Sequence, residues 1–218
     1  YFPEVEDGMI NGINSREMIL EILLEIEEGE HSHVAIRNAL SKYQFLPKQD
    51  RAFITRVCEG TLEYRIQIDY IINSFSKVTV DKMKPAIREI LRSAVYQLKY
   101  MDSVPDSAVC NEAVKLAQRK GFYNLKPFVN GVLRTIAREM DQVRFPQKED
   151  DLLKYLSVKY SMPEVLVTRW LEAYGEETTE KILADFLMEH PLTIRCRTYL
   201  NSKEEVIKSL ESQGVHVA

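Results

Sequence analysis

The stretch Lys84-Pro85-Ala86-Ile87-Arg88-Glu89-Ile90-Leu91-Arg92-Ser93-Ala94-Val95-Tyr96-Gln97-Leu98 decides the fold class. Ile87, Leu91, Ala94, Val95 and Leu98 fall on one face of a 3.6-residue period, and Pro85 stands where a helix tolerates a missing amide. The same pattern continues downstream. Pro105 and Asp106 start a helix that turns Val109, Ala113, Leu116 and Ala117 inward and stops at Gly121. Pro127 starts another, with Phe128, Val132, Leu133, Ile136 and Met140 in period. Asn130-Gly131 is a usual hairpin-turn pair, but its helical flanks override it. Upstream, a first helix runs from an N-cap at Ser15 to Gly29, with Ile19, Ile22, Leu23 and Ile26 on one face. A short helix follows Ser32. Pro47 and Asp50 then open the longest helical stretch, in which Phe53, Val57, Thr61, Tyr64, Ile68, Ile71 and Phe75 recur every three or four residues. Gly60 inside it marks either close contact with a neighbour or a bend. These six helices predict one all-α domain over residues 14–140.

The flanks read differently. Residues 1–13 show no periodicity and are expected to be a disordered tail. Residues 141–150 lose the pattern around Pro146 and read as a linker. Helices are predicted near 151–160, 163–174 and 177–189, the middle one closed by Gly175. Leu192-Thr193-Ile194-Arg195-Cys196-Arg197 alternates apolar and polar, which predicts a strand. Ser202 and Glu205 form a capping box ahead of Val206, Ile207 and Leu210, Gly214 closes that helix, and Val215-His216-Val217 predicts the start of a second strand. Two strands alone do not make a stable sheet, so residues 151–218 read as an incomplete subdomain.

The 218 residues are 45% hydrophobic and 28% charged, with 8 glycines, none between Gly60 and Gly121. No apolar run approaches the roughly 18 residues of a membrane span. Three cysteines, Cys58, Cys110 and Cys196, are too scattered for a disulfide framework or a zinc site, and a cytosolic compartment is expected. The net charge of −4 hides an asymmetry. Residues 1–30 hold nine acids against Arg16 alone, residues 31–140 hold 18 Lys or Arg against 10 acids, and residues 141–218 hold 10 against 14. A basic block between acidic ends suits a nucleic-acid surface, as it also suits a solvated helical face.

Catalytic signatures are missing: no GxGxxG, GxxxxGK[ST], GxSxG, HExxH or CxxC occurs. His31 and His33 read as exposed residues at a helix start, Cys58 and Cys110 as small core residues, and Trp170 as core. A basic cluster remains. Lys115 and Arg119 are one turn apart on one helix, Lys120 adjoins Arg119, Lys126 lies in the following loop, and Arg134 and Arg138 are one turn apart on the next helix. Such a stripe attracts phosphate through counterion release. Arg195 and Arg197 form a weaker second candidate.

Lys84-Pro85-Ala86-Ile87-Arg88-Glu89-Ile90-Leu91-Arg92, then Val104-Pro105, Asn111-Glu112-Ala113-Val114-Lys115-Leu116-Ala117 and Phe128-Val129-Asn130-Gly131-Val132-Leu133-Arg134, resemble the NusB family in words, order and spacing. Farther on, Pro163-Glu164, Arg169-Trp170-Leu171, Tyr174-Gly175-Glu176-Glu177 and Pro191-Leu192-Thr193-Ile194-Arg195 resemble the Fmu/Sun family of 16S rRNA cytosine methyltransferases. Ile194-Arg195-Cys196-Arg197 departs from that family's Leu-Arg-Val-Asn type segment. The resemblance implies an all-α NusB-like helical domain followed by a second, mainly helical segment ending in an incomplete strand–helix–strand unit. It further implies RNA binding and substrate positioning for an S-adenosylmethionine-dependent cytosine-5 methyltransferase acting on 16S rRNA. In that family a cysteine thiolate adds to carbon 6 of cytosine; none of the three cysteines here matches a catalytic position, so this chain alone is expected to be inactive and to bind no cofactor. No membrane or DNA partner is expected. Antitermination factors of the NusB family often begin with several arginines, whereas here only Arg16 precedes a run of glutamates. The expected RNA contacts are therefore Arg16, Lys115, Arg119, Lys120, Lys126, Arg134 and Arg138, while Phe128, Asn111 and Asn130 read as structural. Two other readings stay open: a NusB-like transcription antitermination protein with a C-terminal extension, and a helical protein-interaction domain.

Overall fold

In a computed structural model, which describes residues 9–10, 13–188 and 193–217, the decisive stretch forms helix α5 (Pro85–Tyr100). It is surrounded by α1 (Ser15–Glu27), α3 (Lys48–Glu63), α4 (Arg65–Phe75), α6 (Asp106–Arg119) and α7 (Lys126–Glu139), while α2 (Ser32–Lys42) closes over α1 and α3. The apolar face read from sequence is therefore only part of what α5 buries: every residue from Glu89 to Gln97 is inside. Most of its buried polar groups find partners within the fold, whereas Gln97 Oε1 has none among the described residues. Ser93 Oγ donates to the Glu89 carbonyl at 2.8 Å, Gln97 Nε2 donates to the Ser93 carbonyl at 2.9 Å, and Arg92 binds Asp69 and Glu89. Burying them without such partners would cost about 1–3 kcal/mol each.

Two details depart from the sequence reading, and a third decides between its alternatives. The N-cap of α1 is Asn14, not Ser15; its Oδ1 accepts from the Arg16 and Glu17 amides at 2.9 and 3.1 Å. The long stretch from Lys48 to Phe75 breaks at Tyr64, whose ring stacks on Tyr100 at 4.3 Å. The break leaves the first amides of α4 without helical partners, and Ser161 Oγ accepts from the Ile66 amide at 3.1 Å across 95 residues of sequence. The apolar rhythm runs through that break unchanged, so periodicity alone could not place it. Gly60 marks a close approach: a Cβ there would overlap the Tyr96 ring.

Residues 141–150 connect elements that pack on each other. Tyr70 donates to the Arg144 carbonyl at 2.7 Å and stacks on Phe145, and Gln67 Nε2 donates to the Val158 and Lys159 carbonyls at 3.1 and 3.2 Å. Helix α8 (Leu152–Lys159) thus lies against α4, and the first compact unit extends to Ala184, with residues 185–218 forming the second. A small satellite core of Leu156, Val167 and Leu183 includes Trp170, as expected. Helix α9 (Glu164–Phe186) is interrupted at Gly175, which takes φ 74°, ψ 175°, at the stop read from sequence.

Glu180 ties this region together. Its carboxylate accepts from Lys148, Lys159 and Tyr160 at 3.0–3.1 Å, and these bonds, Lys159 first, hold its pKa at about 2. A carboxylate with a depressed folded pKa lends stability above its unfolded value and loses it as pH falls through the folded one. The protection factors of α8 amides are therefore expected to fall in Glu180→Gln at neutral pH, and in the unsubstituted chain only as pH drops toward about 2. Identical exchange in the two proteins at neutral pH would remove Glu180 from this role.

In the second unit, α10 (Lys203–Ser212) carries the expected capping box, and Gly214 follows it with φ 80°. No strand–helix–strand unit is formed among the described residues. Residues 193–197 and 215–217 make no ladder among the described residues, for a strand gains its hydrogen bonds only from a partner. Leu192, Glu189 and Ala218, parts of those expectations, lie outside the described residues, as do residues 1–8 and 11–12 of the expected tail. Within that tail, β1 (Met9–Ile10) pairs antiparallel with β2 (Ile13–Asn14). No helix among the described residues is long and apolar enough to cross a membrane.

Candidate nucleic-acid interface

Helices α6 and α7 are joined by a connection short enough to make them antiparallel neighbours. Gly121, at φ 82°, ends α6: its amide donates to the Gln118 carbonyl and the Phe122 amide to the Ala117 carbonyl, both at 2.9 Å. A groove of about 700 Å³ runs along α6, bounded by Ser103, Val104 and Pro105 before that helix, by Lys126 and Asn130 of α7, and by Arg16 of α1. Asn111, Glu112, Lys115 and Gln118 supply the polar side of α6. Three cations, Arg16, Lys115 and Lys126, meet one carboxylate, Glu112, in this groove.

Each side chain is held by nearby groups. Lys115 donates to Glu112 at 2.8 Å and Lys126 to Gln118 Oε1 at 2.8 Å. The Arg16 guanidinium lies 5.4 Å from the Phe53 ring centre, and its Nε is buried without a partner among the described residues. Burial pulls the Arg16 pKa below its ordinary value, with Glu112 opposing. Arg134 Nε donates to Asn130 Oδ1 at 2.9 Å, and Arg138 pairs with its neighbour Glu139 at 2.6 Å. Arg119 is exposed and makes no ion pair among the described residues.

The seven expected cations therefore divide. Arg16, Lys115 and Lys126 share the groove, and Arg119, Arg134 and Arg138 stand on the exposed surface of α6 and α7. Lys120 turns away. It binds Glu17 and Glu21 of α1 at 2.9 and 3.0 Å, and these bonds, Glu17 first, raise its pKa. The acidic run of α1 thus neutralises one member of the stripe, across about a hundred residues of sequence. Asn111 and Asn130 line the groove instead of capping or bridging helices, whereas Phe128 packs on the core as expected. Tyr123, exposed in the connection between the two helices, was not among the sequence candidates; its position in the chain between Arg119 and Lys126 was the available signal. Arg195 and Arg197 are exposed in the second unit.

The thiols and histidines among the described residues make no catalytic arrangement. Burial raises the Cys58 and Cys110 thiols, the reverse of what a nucleophile requires. The His31 and His33 rings stack at 5.9 Å, and no group of three or more His, Cys, Asp or Glu able to hold a metal occurs among the described residues.

Comparison with known proteins adds the following. Residues 13–138 match the NusB family, and residues 162–218 match the RsmF/B-like methyltransferase ferredoxin-like domain. The probable ribosomal RNA small subunit methyltransferase B of Bacillus subtilis is 32% identical over 202 residues, covering 93% of this chain and 44% of the relative. The transcription antitermination protein NusB of the same organism is 32% identical over 130 residues, 59% of this chain and 95% of that protein. A crystal structure of antitermination factors NusB and NusE in complex with dsRNA superposes with a TM-score of 0.53 at 21% identity, over 57% of this chain and 93% of that one, and so shows the same fold.

Proposed function

Because this chain belongs to the NusB family, we propose that its α6–α7 surface grips 16S ribosomal RNA and positions it for an S-adenosylmethionine-dependent cytosine-5 methyltransferase. The observation that carries this reading is the meeting of Arg16, Lys115 and Lys126 in one groove, with Arg119 and Arg134 exposed beside it. Its relatives support the choice of RNA: one is named as a small-subunit rRNA methyltransferase, and a structure of the same fold is described with dsRNA. This chain spans 44% of that methyltransferase's length. The described residues offer no glycine-rich turn between a strand and a helix to cradle S-adenosylmethionine, so no step of methyl transfer is assigned to them. What these residues do is hold phosphate and orient an RNA segment. A second reading, a NusB-like antitermination protein with a C-terminal extension, rests on the 95% coverage of the Bacillus subtilis factor and predicts binding to a ribosomal-protein partner.

The test is the salt dependence of binding to a 16S rRNA fragment. Each lost phosphate contact lowers the log–log slope by about 1. Arg119→Ala, Lys126→Ala and Arg134→Ala are each expected to do so, whereas Lys120→Ala, already paired with Glu17 and Glu21, is expected to leave the slope unchanged. Equal slopes in all four variants would place RNA on another face.

A further inference from the structure

The connection between α6 and α7 presents one side chain that the phosphate grip does not use. Gly121 turns the chain, and Phe122 and Leu125 on either side of Tyr123 both pack into the main core. Lys84 covers Phe122, with its ammonium 5.4 Å from the ring centre, and the Leu125 amide donates to the Phe122 carbonyl at 3.0 Å. Tyr123 is thus set on a short, doubly anchored turn and points outward, 61% exposed. Neither its ring nor its hydroxyl has a partner among the described residues. Two other large aromatics of this unit are similarly exposed, but Phe45 lies edge-on against Tyr43, and Tyr174 sits in the acidic stretch around Glu172, Glu176 and Glu177. Tyr123 instead follows exposed Arg119 by four residues and precedes Lys126 by three.

An outward aromatic face with cations four residues before it and three after it in the chain suits a splayed nucleobase: the ring takes the base, and basic side chains take phosphate. We propose that Tyr123 is a stacking platform for an unpaired base, so that the RNA held on α6 and α7 is single-stranded there. The inference rests on the RNA-binding reading above and specifies its ligand. A paired base cannot reach the ring, because its faces are occupied by its neighbours in the duplex. Nor does stacking depend on salt as phosphate contacts do, which separates the two contributions experimentally.

The experiment titrates the full 218-residue chain into a fluorescent single-stranded oligoribonucleotide and into its blunt duplex, at several salt concentrations. Tyr123→Ala is expected to weaken single-strand binding roughly tenfold at every salt concentration, with the slope unchanged, and to leave duplex binding alone. Tyr123→Phe and Tyr123→Trp should restore it, because the ring and not the hydroxyl does the stacking. Single-strand affinity equal to that of the unsubstituted chain in Tyr123→Ala, failure of Phe to rescue, or the same loss on duplex would overturn the proposal and leave the ring to a protein contact. Absence of any response to either RNA at low salt would overturn the RNA-binding reading with it. Thermal melts should be unaffected, because the side chain buries little.

Discussion

Arg92→Met is expected to cost about 3–5 kcal/mol of folding stability at neutral pH, the usual result of stranding a buried charge. The Arg92 guanidinium spans two helices: Nε and Nη2 donate to the two carboxylate oxygens of Asp69 on α4 at 2.7 and 2.6 Å, and Nη1 donates to Glu89 at 2.6 Å. Glu89 is the group left worst off, because its side chain is only 4% exposed. Burial already raises its pKa, against the opposing pull of Arg92. Without the arginine that rise must grow. A carboxyl group whose folded pKa lies above its unfolded value contributes most below the unfolded value and loses that contribution as pH rises through the folded one. The Arg92→Met deficit is therefore expected to shrink on acidification from pH 7 toward the ordinary carboxylate range, and adding Glu89→Gln should recover part of it. Denaturant unfolding of the three proteins at two pH values reads this directly. A deficit under about 1 kcal/mol, typical of a surface pair, would show that water replaces the arginine.

Gly60→Ala should destabilise the first unit by about 3 kcal/mol, which for a domain of this size lowers the melting temperature by roughly 6–12 °C. The sign is what discriminates. On helix propensity alone, alanine in the interior of α3 would stabilise by about 1 kcal/mol. The added methyl would instead overlap Cζ, Cε2 and the hydroxyl of Tyr96, a buried ring packed against Tyr64 and Tyr100, which must be displaced to make room. Gly131 in α7 is the internal control. Nothing lies within 4 Å of the position its Cβ would take, so Gly131→Ala should show the propensity gain. In a double-mutant cycle, Tyr96→Leu removes the overlapping atoms, and the combined variant should be more stable than the two single losses added together. Gly60→Ala melting at or above the unsubstituted chain would mean that the ring yields.

Much of the molecule was legible in the sequence, and for local reasons. The starts at Pro85 and Asp106, the stops at Gly121 and Gly175, and the capping box at Ser202 and Glu205 each depend on groups within one turn of each other, while α7 starts at Lys126, which the sequence reading left in the loop, one residue before Pro127. The Gly60 alternative resolved toward close contact, because the neighbour that forbids a side chain comes from α5. The break at Tyr64 was hidden, since the apolar rhythm continues through it and the partner of the freed Ile66 amide is Ser161. The terminal strands were over-read: alternation shows which faces a strand would have, but a ladder needs a second chain segment beside it. At the candidate interface, residue types and helical spacing pointed to the α6–α7 pair, yet the shape of the groove and the exposure of Tyr123 were not legible.

Arg119 and Lys120 show where sequence ends and tertiary structure begins. Period, capping and composition determined by themselves the helices between residues 14 and 140 and their basic character, because helices are built from interactions three and four residues apart. Only packing decided which of two adjacent cations is left for a ligand. Lys120 meets Glu17 and Glu21 where α1 lies beside the end of α6, while Arg119, one residue earlier and 100° around the helix, faces solvent. Charges attract over a few ångströms, and folding alone sets which distant residues come that close.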